Sequence, residues 1–238
     1  MPHAQNTLQI PAADGSGSFS AYMALPEHMP APCVIVIQEI FGINQEIRDK
    51  CDHLAALGYV AVAPDLFWRI EPGIELVDSV EEQLQRAFQL FGEFDQAKGL
   101  EDLQATLAFV RDDARCNGRV GCIGYCLGGK LAYMLAAHSD IDASVSYYGV
   151  GIEAMLGDAE RIKAPILLHI AGEDEFVPKD AQEKIEETLL DHPLAETYRY
   201  PGMDHAFARG GGMHYNAEAA TLANTRTESF LGTQLKKV

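Results

Sequence analysis

The sequence predicts a doubly wound α/β fold, a mostly parallel sheet with helices on both faces, and two observations lead there. Short apolar runs alternate with amphipathic stretches of helical period along the whole chain. Several of those runs are apolar at nearly every position, which fits strands covered on both sides rather than on one. With 238 residues the chain can build one sizeable core. No repeat, low-complexity tract or composition break marks a linker, so a single domain over residues 1–238 is expected.

The elements follow in order. "TLQIPA" (7–12) and "SFSAYMAL" (18–25) read as two strands around a turn at Asp14-Gly15-Ser16-Gly17. "CVIVIQEI" (33–40) is β-branched and bounded by Pro32 and Gly42. A helical pattern over 44–57 ends in "LAALG", with Gly58 as its cap, and leads into "YVAVAPDL" (59–66). The least regular insertion is "IEPGIELVDSVEEQ" (70–83), a candidate lid or cap. Helical patterns over 79–93 and 99–111 precede the run "RVGCIG" (119–124), and a helix over 129–138 follows it. Then come "ASVSYYG" (143–149), "PILLHIAG" (165–172), a helix over 179–190, "ETYRYPG" (196–202) and a last helix over 216–235.

Composition narrows the function. Hydrophobic residues make up 47% and charged residues 22%, the balance of a soluble globular chain. The net charge of -17 repels phosphate backbones and anionic lipid, so neither nucleic acid nor a membrane is an expected partner. The opening "MPHAQNTLQIPAADGSG" lacks the basic start and apolar run of a signal peptide, and no stretch of apolar residues is long enough for a span. The five cysteines, Cys33, Cys51, Cys116, Cys122 and Cys126, form no C-x-x-C pair and have irregular spacing. That argues against a disulfide framework and a zinc site, and it points to a reducing cytoplasm.

In a parallel α/β sheet, functional groups collect at the carboxyl ends of strands. After 120–123 comes Gly124-Tyr125-Cys126-Leu127-Gly128, a G-x-nucleophile-x-G turn from strand into helix. Such an elbow is tight enough to need small neighbours, and it aims a helix N-terminus at the reacting centre. A buried small hydrophobe in a glycine-rich turn is the alternative reading of Cys126. Two distant residues weigh against it: Asp174, after the run 165–170, and His205, after the run 196–200. Nucleophile, acid, histidine is the chain order of α/β-hydrolases. Glu173 and Glu175 flank Asp174, so on pattern alone the acid assignment could slip by one. Among the other histidines, His169 lies inside an apolar strand as a core residue. His138 ends a helix, where a cation suits the dipole. His3, His28, His53, His192 and His214 read as surface or loop positions.

The chain resembles the dienelactone hydrolase (carboxymethylenebutenolidase) family of α/β-hydrolases. The resemblance rests on "VIVIQEIFGIN" (34–44), "GYVAVAPDLF" (58–67), "VGCIGYCLGGKLAYMLAA" (120–137), "SYYGVG" (146–151), "GEDEFVP" (172–178) and "YPGMDHAFAR" (200–209). It implies an α/β-hydrolase fold and a triad of Cys126, Asp174 (from D-x-x-V-P) and His205 (from G-x-H-x-F). It further implies that Glu39 controls ionisation of the cysteine and that the backbone N–H groups of Ile40 and Leu127 form the oxyanion hole. No metal or organic cofactor is implied. Family members that cleave dienelactone hold the substrate carboxylate with two arginines. Arg209 matches one, four residues after the histidine, while Leu84 stands where the other is expected. Arg86, two residues on, faces another side of its helix. Arg209 also reads as a plain loop arginine before Gly210-Gly211-Gly212.

The expectation is therefore a hydrolase of esters or lactones working through an acyl-cysteine, with a small-molecule substrate, and a monomer rather than an oligomer. Leu84 favours a promiscuous carboxylesterase acting on neutral esters. A non-catalytic thiol redox sensor on the same fold is the alternative from another class.

Overall fold

A computed structural model describes residues 7–236 of the chain. The eight expected strands and six expected helices are present among them, joined by one 3₁₀ segment. By their contacts the residues divide into two compact units, one up to Gly121 and one from Cys122 onward.

In the first unit, β1 (Thr7–Pro11) and β2 (Ser18–Ala24) form an antiparallel hairpin with Thr7 opposite Tyr22. Its turn is closed by the Ala12 N–H, which donates to Gly17 O at 2.9 Å. Strand β3 (Ala31–Ile37) is buried along its whole length, as is β4 (Val60–Pro64), and the two are parallel. Strand β2 runs antiparallel to β4, so the order begins β1-β2-β4-β3. Helix α1 (Gln45–Ala56) starts where the Asn44 side chain accepts the Ile47 N–H. Helices α2 (Glu81–Glu93) and α3 (Gln96–Asp112) follow, the second capped by Asp95. Buried Asp102 on α3 receives the Trp68 indole N–H at 2.8 Å and a two-pronged guanidinium from Arg69.

The irregular insertion after β4 is stitched to its own unit. Asp65, 3% exposed, accepts the N–H groups of Phe67 and Gly73. Farther on, Gly42 pairs with Glu75, Leu76 N–H donates to Phe41 O at 2.9 Å, and the Asn44 amide donates to Leu76 O. A Cβ on Gly42 would lie 1.9 Å from Ile74 O, at a φ of +74°.

Strand β5 (Cys116–Tyr125) runs from the first unit into the second, where the order is β5-β6-β7-β8. Strands β6 (Ala143–Tyr147), β7 (Ile166–Ala171) and β8 (Ala195–Tyr200) are parallel. Around them lie α4 (Leu127–His138), α5 (Lys179–Leu189) and α6 (Ala217–Leu235). Helix α4 buries ten of its residues, so it behaves as a core helix rather than an amphipathic surface one. A core of Tyr133, Ile166, Leu168, Ile170, Ile185 and Leu189 fills the space against the 3₁₀ segment Ile152–Arg161. That segment was not anticipated, although its apolar residues recur at 152, 155, 156 and 159, a helical spacing. No helix among the described residues is long and apolar enough to cross a membrane.

Candidate active site

Strand β5 ends at Tyr125 and α4 begins at Leu127, so a single residue, Cys126, makes the whole turn. Its φ of 55° and ψ of −115° are rare for a residue with a Cβ. Such backbones cost about 1–3 kcal/mol and persist only when the surroundings over-determine them. Here they do. Cys126 N–H donates to Tyr147 O at 3.0 Å, and Cys126 O accepts the N–H groups of Gly129 and Lys130. A Cβ on Gly124 would fall 1.8 Å from Gly128 O. The turn therefore needs glycine before the cysteine, and Gly124→Ala is expected to be more damaging than an ordinary overpacked core site, at about 1–3 kcal/mol. Because the clash is with backbone, Tm should fall by roughly 10 °C or the chain should fail to fold, read by thermal melting.

Leu127 is the first residue of α4, where N–H groups have no partner within the helix and the dipole end is positive. This end favours a thiolate and a developing oxyanion. Cys126 is 8% exposed, so it sits in the floor of the turn rather than on an open tip.

Asp174 and His205 lie in the segments that follow β7 and β8. Gly172 N–H donates to Tyr200 O and Glu173 N–H to Met203 O, which pins the two segments together. His205 Nδ1 and Asp174 Oδ2 are 2.8 Å apart. The second Asp174 oxygen accepts the Phe176 N–H at 2.9 Å, so the carboxylate cannot swing away. Asp174 is 5% exposed, whereas Glu173 and Glu175 face solvent and Glu173 pairs with Lys179. The geometry thus puts the aspartate, and neither glutamate, on the histidine.

His205 is 6% exposed, with the rings of Tyr148 and Phe176 edge-on at 5.1 and 4.9 Å. Burial by itself would lower its pKa. The charge of Cys126, together with the bond to Asp174, outweighs that and lifts it to about 10. Nε2 is buried and makes no formed hydrogen bond, so Cys126 acts on it mainly through charge. Catalytic hydrogen bonds are often long until substrate arrives.

The remaining expected residues are placed as follows. Glu39 and Ile40, buried at 3% and 7%, follow β3 in the first unit. Arg209 is half-buried, its N–H donating to Ala206 O at 2.9 Å, ahead of the glycine run. Leu84 is half-buried on α2, and Arg86 is engaged by Glu71 at 2.8 Å. His169 is a core residue, 1% exposed. His138 pairs with Asp158 at 3.0 Å rather than only facing the helix end. His28, His53 and His214 are exposed and His192 half-buried, while His3 lies outside the described residues. Sequence reading missed Tyr148 and Phe176, the two rings that wall His205. Tyr148 stands near the end of the run 143–149 and Phe176 two residues after the acid, which is the signal that was available.

Comparison with known proteins agrees along most of the chain. The dienelactone hydrolase family profile matches residues 19–235. A relative from Azospirillum brasilense is 47% identical over 234 residues, covering 94% of this chain and 96% of its own. The carboxymethylenebutenolidase of Pseudomonas putida is 40% identical over 224 residues, covering 94% of each. Among solved structures, one from Klebsiella pneumoniae assigned as a dienelactone hydrolase superposes with a TM-score of 0.82 at 28% identity, over 95% of this chain and 98% of that one.

Proposed function

The chain belongs to the dienelactone hydrolase family, hydrolases acting on lactone and ester bonds, and on that premise we propose that it works through an acyl-cysteine formed on Cys126. The observation that carries this reading is the buried Asp174–His205 bond at 2.8 Å, with Cys126 raising the histidine's proton affinity from a helix N-terminus.

The thiolate of Cys126 attacks the acyl carbon, and the carbonyl π electrons move onto oxygen. That oxyanion is received by the N–H groups of Leu127 and, as in the family, Ile40. When the oxyanion collapses, the ester C–O bond breaks and the alkoxide takes the proton from His205. Acylation removes the charge of Cys126, and with it the largest influence raising the His205 pKa. The imidazole is then freed to act as a base. It takes a proton from water, the hydroxide adds to the thioester carbonyl, and collapse breaks the C–S bond, releasing the carboxylic acid and restoring the Cys126 thiolate beside the protonated His205. Asp174 holds the ring in the tautomer with the proton on Nδ1 and stabilises the imidazolium. Glu39, by its family role, governs when Cys126 ionises.

A thioester intermediate suits activated acyl groups such as enol lactones and aryl esters. Leu84 in place of a second arginine favours neutral substrates, since Arg86 is held by Glu71. If Arg209 alone binds a substrate carboxylate, Arg209→Ala should raise KM for a carboxylated lactone and leave its methyl ester nearly unchanged. One partly solvated charge-assisted bond is worth about 1.5–3 kcal/mol, or roughly ten- to a hundredfold. Leu84→Arg should strengthen the preference for the anion, and added salt should weaken that gain. Equal effects on both substrates would make Arg209 structural. The deciding screen compares turnover of dienelactone, neutral lactones and p-nitrophenyl esters side by side. Thiol labelling without turnover of any of them would favour a redox sensor. The protein is further proposed to act as a single domain in the cytoplasm, as a monomer.

A further inference from the structure

The mechanism leaves a second buried histidine without a task. His169 lies in β7, 1% exposed, with both ring nitrogens engaged: Nδ1 with Tyr200 Oη at 2.8 Å and Nε2 with Thr227 Oγ1 at 2.9 Å. The contacts continue at both ends. Arg226 Nη1 donates to Tyr200 Oη at 3.1 Å. Thr227 Oγ1 meets Tyr147 Oη at 2.7 Å, and Tyr147 Oη donates to Asn224 Oδ1 at 3.0 Å.

A hydroxyl has one proton to give, so the direction of every bond is determined. The Tyr147 proton goes to Asn224, so Tyr147 accepts from Thr227. The Thr227 proton is then spent, and it must accept from His169 Nε2–H. His169 Nδ1 is therefore the acceptor and Tyr200 its donor, while Tyr200 accepts from Arg226. Five bonds run head to tail from a guanidinium on α6 to an amide on α6, through β8, β7 and β6. Burial, followed by the charge of Arg226, pushes the His169 pKa down to about 3, so the ring stays neutral.

This chain of bonds touches the candidate active site from two sides. Tyr147, next to the Asn224 end of the line, supplies the main-chain carbonyl that holds the strained Cys126 N–H at 3.0 Å. Tyr200, on the other side of His169, packs at 4.8 Å against Phe207, two residues beyond His205. His169 O also accepts the Tyr148 N–H at 2.7 Å, and the Tyr148 ring walls His205. We infer that His169 and Thr227 are positioning residues, whose directed hydrogen bonds fix the seat of Cys126 relative to the segment carrying His205. The inference rests on Cys126 and His205 being the reacting pair. An interior satisfied only for stability would not need one polar line joining both halves of that pair.

The test uses the full chain with Thr227→Val, His169→Phe and His169→Gln. Misplacement of reacting groups by fractions of an ångström costs rate rather than binding. The valine and phenylalanine variants should therefore lose about ten- to a hundredfold in kcat for p-nitrophenyl acetate while KM stays within about threefold. His169→Gln keeps a donor near the Nε2 position and should recover most of the loss. The second readout is alkylation of Cys126 by iodoacetamide, followed by peptide mapping. A disturbed Cys126–His205 pair should react more slowly, whereas a merely loosened core would expose the 8%-exposed thiol and speed the reaction. Wild-type kcat in Thr227→Val, or faster alkylation, would overturn the inference. Should Thr227→Val fail to fold, Tyr147→Phe cuts the same line one bond later. Absence of ester turnover in the wild type would sink the hydrolase reading instead, and the alkylation rates would still decide this one.

Discussion

Cys126→Ala is expected to lose roughly four to six orders of magnitude in ester turnover, the scale of losing the nucleophile from a catalytic triad. The fold should survive. Cys126 is buried, not exposed, but the change removes only a sulfur, and the backbone bonds that shape the turn remain. The cost in stability should be about 1 kcal/mol, centred on a small cavity and an alanine held at φ 55°. The paired measurements are kcat/KM on p-nitrophenyl acetate and a thermal melt. Near-wild-type activity in a folded Ala variant would remove Cys126 from the mechanism.

Asp174→Asn should cost about 10⁴-fold in kcat. An asparagine amide in place of Oδ2 turns the His205 ring to the tautomer with its proton on Nε2, where it cannot accept one from the thiol or from water. The neighbouring Glu173→Gln and Glu175→Gln changes should be nearly silent, because both side chains face solvent. A larger loss in either glutamine variant would move the acid away from Asp174. A pH signature accompanies this. In the folded chain His205 is raised from 6.5 to about 10, so its proton-linked contribution to stability is complete below pH 6.5 and fades as pH climbs through 10. Asp174→Asn removes one of the influences that raise it, so that fading should begin at lower pH. Urea midpoints of wild type and variant between pH 6 and 10 read the difference.

The parallel sheet was legible because its strands are apolar on both faces, as in β3 and β4, where every residue is buried. The ends of elements were less so. Strand β5 begins at Cys116 rather than near 119, since "CNG" is extended without being apolar, and α4 begins at Leu127 because the elbow allows no spacer. The 3₁₀ segment at 152–161 was hidden by Gly157, which breaks a helical pattern. The elbow glycines announced the site, as Gly124 has no room for a Cβ. The choice of Asp174 over its glutamate neighbours could not be made from spacing alone, because it depends on which side chain turns inward. Nor could sequence show the Tyr147–Thr227–His169–Tyr200 line, whose members are brought together from four separate elements.

The most direct test of an acyl-cysteine is to catch it. Wild-type protein is mixed with p-nitrophenyl acetate, quenched in acid within the first turnovers, digested and mapped by mass spectrometry. The account predicts an acetyl group on the peptide carrying Cys126, appearing with a burst of p-nitrophenolate and absent from Cys126→Ala. Steady turnover with the Cys126 peptide unmodified, or the acetyl group on another residue, would contradict it.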